Sequence, residues 1–184
     1  QFGANRQASE KRAAEMALMN LAKNSRFETV TRLSWMMESE EVQQNQDVLT
    51  PRALSDGTSG AKDCVEAWIE IDSQGRNEIH IRKNGKNQKS VPSAYKKHEW
   101  IVHLKEIHAR WQEQYKRSRR MLEQAMEERT EFLREELGMM MTNPIVSPML
   151  EKLVLKSGKK VGFVTDEGFL AQPKGEVGES VRIA

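Results

Sequence analysis

This chain has little cysteine, few aromatic residues and no long hydrophobic run. Cys64 is the single cysteine among 184 residues, which excludes an intrachain disulfide framework and is typical of a reducing cytoplasm. No apolar segment approaches the roughly 20 residues that cross a bilayer. The N-terminal residues also lack a secretory signal pattern. We therefore expect a cytoplasmic protein that has no membrane partner.

The sequence also lacks the usual motifs of catalysis and metal binding. His98, His103 and His108 are spaced by five residues, so on a helix they point in three directions and cannot share a zinc ion as an i, i+4 pair does. Cys64 has no histidine neighbour in the sequence. We also expect that His80, in the following hairpin, does not reach Cys64. No Gly-x-Ser-x-Gly elbow and no phosphate-binding loop is present. We predict no catalytic residue, no metal site and no cofactor.

Charge is abundant but nearly balanced. The chain has 29 basic and 27 acidic residues and a net charge of +2, so the overall balance requires no polyanionic partner. Residues 82–120, however, hold twelve lysines and arginines against three glutamates. If the preceding strands pack against the following helix, part of this set forms a patch for anions or nucleic acid. The candidate residues are Lys83, Lys86, Lys89, Lys116, Arg117, Arg119 and Arg120.

An ordinary solvated surface is the competing interpretation of these charges. Glu113 and Arg117, like Arg119 and Glu123, stand four residues apart, which suits ion pairs on one helix face. No aromatic platform for stacking bases is available, because Trp111 belongs to an apolar stripe. We therefore treat nucleic-acid binding as an alternative to the leading interpretation.

The clearest structural signal is an amphipathic pattern from Lys97 to Leu137, which predicts one long helix. Thr130 and Gly138 are two alternative positions at which this helix could break. Its apolar residues recur at the three-, four- and seven-residue steps of one helix face. This stripe consists of Trp100, Leu104, Ile107, Trp111, Tyr115, Leu122 and Ala125.

The remaining segments predict an α+β fold. Residues 1–42 read as a helical hairpin, similar to the end of a HEAT-type α-solenoid, with Ser25 capping its second helix. Residues 43–63 are polar and read as a linker. Residues 64–184 read as an α+β domain: a small antiparallel meander on the long helix, then a C-terminal helix and short strands. Within the meander we predict strands 66–72, 78–83 and 89–91, with hairpin turns at Ser73–Gly75 and Asn84–Gly85 because glycine and asparagine accept positive φ.

Several short segments, in this order, resemble a known family. They are Trp68–Ile71, Asn84–Lys86, Lys89–Pro92, Ser118–Met126, Asn143–Val146, Leu150–Val154 and Gly162–Val164. Their order resembles the domain of unknown function in bacterial proteins similar to the molybdate metabolism regulator. The resemblance implies a multidomain protein with helical repeats or a WGR domain, and a link to molybdate regulation or molybdopterin cofactor biosynthesis. It assigns no role to any residue.

These observations together favour a non-catalytic interaction or scaffold module of a larger cytoplasmic bacterial protein. We expect the chain to be a piece that ends before its domain does, with the rest of the same polypeptide and other proteins as partners. Two alternatives remain: a basic nucleic-acid-binding surface, and a fragment of an enzyme whose catalytic residues lie beyond this chain.

Overall fold

The chain combines two antiparallel sheets, one long helix that packs against them, and an N-terminal helical hairpin. The computed structural model describes residues 2–24, 30–54, 64–157, 160–162 and 180–183. The helices are α1 (Phe2–Asn24), α2 (Val30–Gln44), α3 (Glu99–Glu128), α4 (Arg134–Met141) and α5 (Ser147–Leu150). The strands are β1 (Arg52–Ala53), β2 (Val65–Ile71), β3 (Asn77–Lys83), β4 (Lys86–Gln88), β5 (Glu131–Leu133), β6 (Leu155–Ser157), β7 (Lys160–Gly162) and β8 (Ser180–Ile183). The predicted α+β class is confirmed.

The first sheet has the strand order β1-β2-β3-β4, and every neighbouring pair is antiparallel. Two tight turns set its register. Gly75, at φ 80°, closes the turn before β3, and the Asp72 carboxylate accepts two backbone N–H groups of that turn. Asn84 and Gly85, at φ 51° and 78°, make the two-residue turn before β4. Asparagine and glycine tolerate this left-handed backbone, so both predicted hairpin turns are confirmed.

The third predicted strand lies earlier in the chain than we expected. The sequence suggested residues 89–91, whereas β4 begins at Lys86, which pairs directly with Lys83. A two-residue turn leaves no slack, so the chain resumes the ladder immediately after Gly85. The polar side chains of β4 had hidden this strand, because an exposed edge strand needs no apolar alternation.

Helix α3 packs its predicted stripe against the sheet and the helical segments. Six stripe residues are buried and Tyr115 is half-buried; the buried ones are Trp100, Leu104, Ile107, Trp111, Leu122 and Ala125. Near its start, the Trp100 indole nitrogen donates to the Ala67 carbonyl at 3.0 Å. About three turns further on, Gln112 donates to the Asn77 carbonyl at 2.6 Å. The helix therefore runs along β2 toward the turn that joins β2 to β3.

The long amphipathic segment is two helices rather than one. Helix α3 ends at Glu128 because Arg129 takes the left-handed conformation at φ 53°. The chain then continues as β5, in which Phe132 is buried, before α4 begins. Of the two breaks considered, the one at Thr130 is therefore present, whereas Gly138 lies inside α4. Strand β5 pairs with β8, some fifty residues later in the chain. Helical periodicity in the sequence cannot indicate such a distant contact.

Two apolar cores share α3. The first lies under the β1–β4 sheet and includes the first half of the stripe. The second surrounds Leu122 and Ala125 and includes Phe132, Leu137, Met140, Val146, Leu150 and Leu155. A second sheet with the order β5-β8-β6-β7 flanks this second core. Helix α2 contributes Val42 to the first core, and Trp35 packs against the second. The predicted hairpin unit is thus tied to the α+β body through α2.

Part of the predicted linker is built into the first core. Residues 46–49 form a 3₁₀ helix, and β1 pairs with β2. Val48 and Leu54 are buried. Apolar residues this sparse carry no periodicity, which is why the sequence pattern suggested a linker. Residues 55–63 and the predicted Ser25 cap lie outside the described residues.

Candidate functional site

The basic residues of α3 that the sequence singled out are largely neutralised by carboxylates. Three of them form ion pairs: Lys116 with Glu113 at 2.8 Å, Arg117 with Glu38 at 2.6 Å and Arg119 with Glu123 at 2.9 Å. Arg120 is exposed on the same helix. Such pairs lower the positive potential that phosphate groups would meet. The competing interpretation, a solvated surface with ion pairs, describes these residues well.

The three hairpin lysines lie at the opposite end of the sheet from the basic residues of α3. Lys83 and Lys86 lie opposite each other in the strand register beside the β3–β4 turn, and Lys89 follows β4. Asn77, which contacts Gln112, is about 20 Å from Lys83 along the strand. Arg119 lies roughly another 10 Å along the helix in the other direction. The structure therefore does not bring the seven residues together into one patch.

One ion pair joins the helical hairpin to α3. The Glu38 carboxylate accepts two hydrogen bonds from the Arg117 guanidinium, at 2.6 and 3.1 Å, and its side chain is 17% exposed. About one turn further along α2 and two turns earlier in α3, Glu41 and Arg110 form a longer pair at 3.4 Å. Burial raises the pKa of Glu38, and the hydrogen bond and charge of Arg117 offset only part of that rise. The contact therefore holds α2 on α3 at an electrostatic cost.

We expect this cost to appear in the pH dependence of stability. The ordinary pKa of Glu38 is 4.5, and its folded-state pKa is higher. Above pH 4.5 the unfolded chain has released a proton that the folded chain still holds, so the contribution of Glu38 to the unfolding free energy falls as pH rises through the raised pKa. Glu38→Gln removes this component. Urea denaturation from about pH 4 to pH 7 should show the difference between variant and wild type moving in the variant's favour. A difference that stays constant across this range would contradict the raised pKa.

The four histidines serve local packing, each in a different place. His98 caps α3 by accepting the Trp100 backbone N–H at 3.1 Å. His103 lies beside Trp100, with 5.4 Å between the ring centroids. His108 contacts the Asn77 carbonyl at 3.1 Å, and His80 stacks on Trp68. Within the part of the chain that the structure describes, no three histidine, cysteine or acidic residues are grouped to hold a metal ion. The predicted divergence of the helical histidines agrees with these positions.

Cys64 and His80 do not meet. The strand register places His80 opposite Trp68, whereas Cys64 lies opposite the β3–β4 turn, where its backbone N–H donates to the Asn84 side chain. Four residues of strand separate the two positions, about 13 Å. Cys64 itself is exposed. This geometry provides no thiol–imidazole pair for nucleophilic catalysis.

The structure does contain a cavity that the sequence did not reveal. It has a volume of about 370 Å³ and lies between α2, α3, β5 and α4. Its apolar walls include Trp35 and Phe132, whose ring centroids are 5.8 Å apart. Three carboxylates, those of Glu128, Glu131 and Glu136, also line it. Apart from Trp35, its lining residues lie between Met121 and Met139, and the change from helix to strand to helix in that stretch brings them around one space.

A second, more open groove of about 400 Å³ lies beside the β2–β3 turn. Arg119 lines it, together with Lys152, whose ammonium group donates to the Ser73 carbonyl at 2.7 Å. Most of the other walls are apolar, and Met126 and Met149 are among them. Arg119 is thus one predicted residue that borders a concave surface, and no sequence pattern links it to Lys152.

Two parts of the chain match known protein families. Residues 85–181, just over half of the chain, match the family described as Domain of unknown function (DUF4132). The chain belongs to this family. The match begins in the β3–β4 turn and covers α3, α4, α5 and strands β5 to β7, together with all the residues that line the two cavities except Trp35 and Gln74. Residues 1–37 match a second family, described as Family of unknown function (DUF5724). No curated protein and no solved structure matches the chain.

These matches confirm one part of the resemblance and leave the other untested. The chain does contain a domain of unknown function, as the order of the seven short segments suggested. Neither family description mentions molybdate, so the link to molybdate regulation stays a prediction. None of the described helices has both the length and the apolar character of a membrane span.

Proposed function

We propose that this chain is a non-catalytic interaction module whose N-terminal helix docks onto a helical protein surface. The observation that carries the proposal is the exposure of α1. Of residues 8–24, Ala22 alone is buried, whereas Met16 is 60% and Leu21 54% exposed. Leu18 and Met19 are exposed as well. Burying an aliphatic side chain of this size yields about 1.5–3 kcal/mol, so a covered α1 would be considerably more stable than a bare one.

The apolar side chains of α1 surround most of the helix rather than forming one narrow stripe. At about 100° per residue, Leu21, Leu18, Met19 and Met16 spread over more than half of the circumference. A helix that is apolar on most sides is normally buried between neighbours. Helix α2 covers only the Ala22 side. The uncovered sides therefore support a partner that packs along α1.

A helical partner fits the hairpin better than other kinds of surface. Hairpins that stack side by side bury such faces against one another, as in α-solenoids. Residues 1–37 match a different family from the rest of the chain, which supports a hairpin that contacts units of its own kind. The rest of the same polypeptide and separate helical proteins are both partners of this chemistry. The cytoplasm of a bacterial cell is the proposed location.

Photo-crosslinking in cells tests this function. A benzoylphenylalanine at position 18 is expected to crosslink to a helical protein or to a remote part of the same polypeptide. The same probe at Glu106, an exposed position on α3, should give little product. Adding Met16→Glu and Leu21→Glu should abolish the crosslink from position 18, because two charges on the apolar face oppose burial.

The matched control for these substitutions is Asn20→Glu, which adds charge on the polar side of α1. It should leave the crosslink intact, and all three variants should keep the thermal midpoint of the wild type because every altered side chain is exposed. Equal crosslinking from positions 18 and 106 would contradict the proposal. So would a crosslink that survives both glutamates.

A nucleic-acid-binding surface is the alternative, and the geometry supports it less. Lys83, Lys86 and Lys89 lie at one end of the sheet, away from the basic residues of α3, which largely pair with carboxylates. An enzyme fragment is the remaining alternative, and its catalytic groups would lie outside this chain.

A further inference from the structure

We propose that the cavity between α2, α3, β5 and α4 binds a small organic cation with an apolar body, such as an aromatic amine. This inference is independent of the docking of α1, because none of the cavity walls comes from that helix. The volume of about 370 Å³ lies within the range of small-molecule pockets in proteins.

The apolar walls match the body of such a ligand. Trp35 and Phe132 face each other with an interplanar angle of 37°, and Met121, Ala125 and Met139 complete the apolar part. Because their centroids are 5.8 Å apart, the two rings pack on each other and form one apolar wall against which a third ring or an alkyl group can lie. Thioether side chains adapt to the outline of a bound group. An apolar ligand of about ten non-hydrogen atoms fits this space.

The charges around the cavity match a cation rather than an anion. Glu128, Glu131 and Glu136 line it, and none of its described lining residues is basic. Glu136 is buried and is held in place because its carboxylate accepts the Leu133 backbone N–H at 2.6 Å. Aromatic faces and carboxylates both attract an ammonium group, most strongly where water is excluded. The same carboxylates repel phosphate and carboxylate ligands.

One polar atom in this wall can report on binding. The indole Nε1 of Trp35 is buried, and no described residue accepts its hydrogen. An ammonium group has no lone pair to accept this hydrogen, so the indole N–H does not itself hold the cation. This N–H group is also a direct reporter, because it gives its own resonance in an ¹⁵N spectrum.

Titration of the whole chain with three probes of matched size tests the proposal. The probes are 2-phenylethylamine, 2-phenylethanol and phenylacetate, followed through the Trp35 indole resonance, which Trp35→Phe assigns. The amine is expected to shift this resonance with a dissociation constant at least about tenfold lower than that of the alcohol, and phenylacetate is expected to leave it in place. Equal affinities for amine and alcohol, or no shift with the amine, would overturn the proposal.

A pair of variants tests the role of the carboxylates. Glu128→Gln should weaken amine binding by about threefold to fivefold, because Glu128 is an exposed charge at the cavity. Glu123→Gln removes another exposed charge from the same helix, but Glu123 lines the other groove, so amine binding should not change. Both variants should unfold at the wild-type temperature. Identical effects of the two substitutions on amine binding would refute a site at this cavity.

Discussion

Replacing Trp111 with alanine should lower the free energy of unfolding by about 3–5 kcal/mol, as large aromatic truncations in cores do. Trp111 is fully buried at the centre of the first core, between α3 and the β1–β4 sheet. Removing its ring leaves a cavity that close-packed neighbours cannot fill. Because small domains are stable by only about 5–15 kcal/mol, this single change removes a large share of the total. Urea denaturation followed by far-ultraviolet circular dichroism measures the loss without relying on tryptophan fluorescence.

The two buried tryptophans of α3 provide a matched comparison. Trp100 donates its indole N–H to the Ala67 carbonyl at 3.0 Å, whereas the indole nitrogen of Trp111 is buried without a described acceptor. Phenylalanine keeps an aromatic ring but removes the donor at either position. Trp100→Phe should therefore cost about 1–3 kcal/mol more than Trp111→Phe, since it breaks a buried hydrogen bond. Equal losses would mean that packing alone determines both effects.

Residues whose role is set by local periodicity were predictable from the sequence. The stripe from Trp100 to Ala125 repeats at helical spacing, and those positions are the ones that α3 buries. The turn at Asn84-Gly85 was equally clear, because few residue pairs accept positive φ at both positions. In each case the side chains themselves favour the local conformation, so the prediction needed no knowledge of tertiary partners.

Segments whose structure depends on distant partners were not predictable in this way. Strand β5 forms because Phe132 reaches the second core and the strand pairs with β8. Val48 and Leu54 are isolated apolar residues in a polar segment, yet the first core encloses both. Burial of these side chains outweighs the weak local preference of their segments. A single sequence contains no measure of that competition.

The candidate sites differ in the same way. The pair of Arg119 with Glu123 follows from its spacing, as the sequence suggested, whereas Glu113 pairs with Lys116 rather than with Arg117. The pair between Arg117 and Glu38 joins two helices far apart in the sequence and therefore could not be inferred. Arg117, which we had assigned to an anion patch, therefore holds α2 against α3. The cavity walls at Trp35 and Phe132 come together through the same long-range packing.

Gly75→Ala is expected to destabilise the fold nearly as strongly as the loss of Trp111, although it adds only one methyl group. An ideal Cβ at Gly75 would lie 2.1 Å from the Ile145 carbonyl oxygen, a backbone atom that cannot rotate away. Gly75 also has φ 80°, where an L residue costs about 1–2 kcal/mol. Overpacking typically adds about 1–3 kcal/mol, so we expect a total loss of about 2–5 kcal/mol in urea denaturation.

Gly85→Ala separates the two causes. Gly85 has nearly the same conformation, at φ 78°, but no atom lies within 4 Å of an ideal Cβ there. Its loss should therefore stay near the conformational cost alone, about 1–2 kcal/mol. The excess at Gly75 then measures how tightly the β2–β3 turn seats against Ile145, whose backbone N–H is in turn fixed by the Asn143 side chain at 3.0 Å. Similar losses at the two glycines would show that Ile145 moves aside, and that the sheet and the segment before α5 are joined more loosely than their contact suggests.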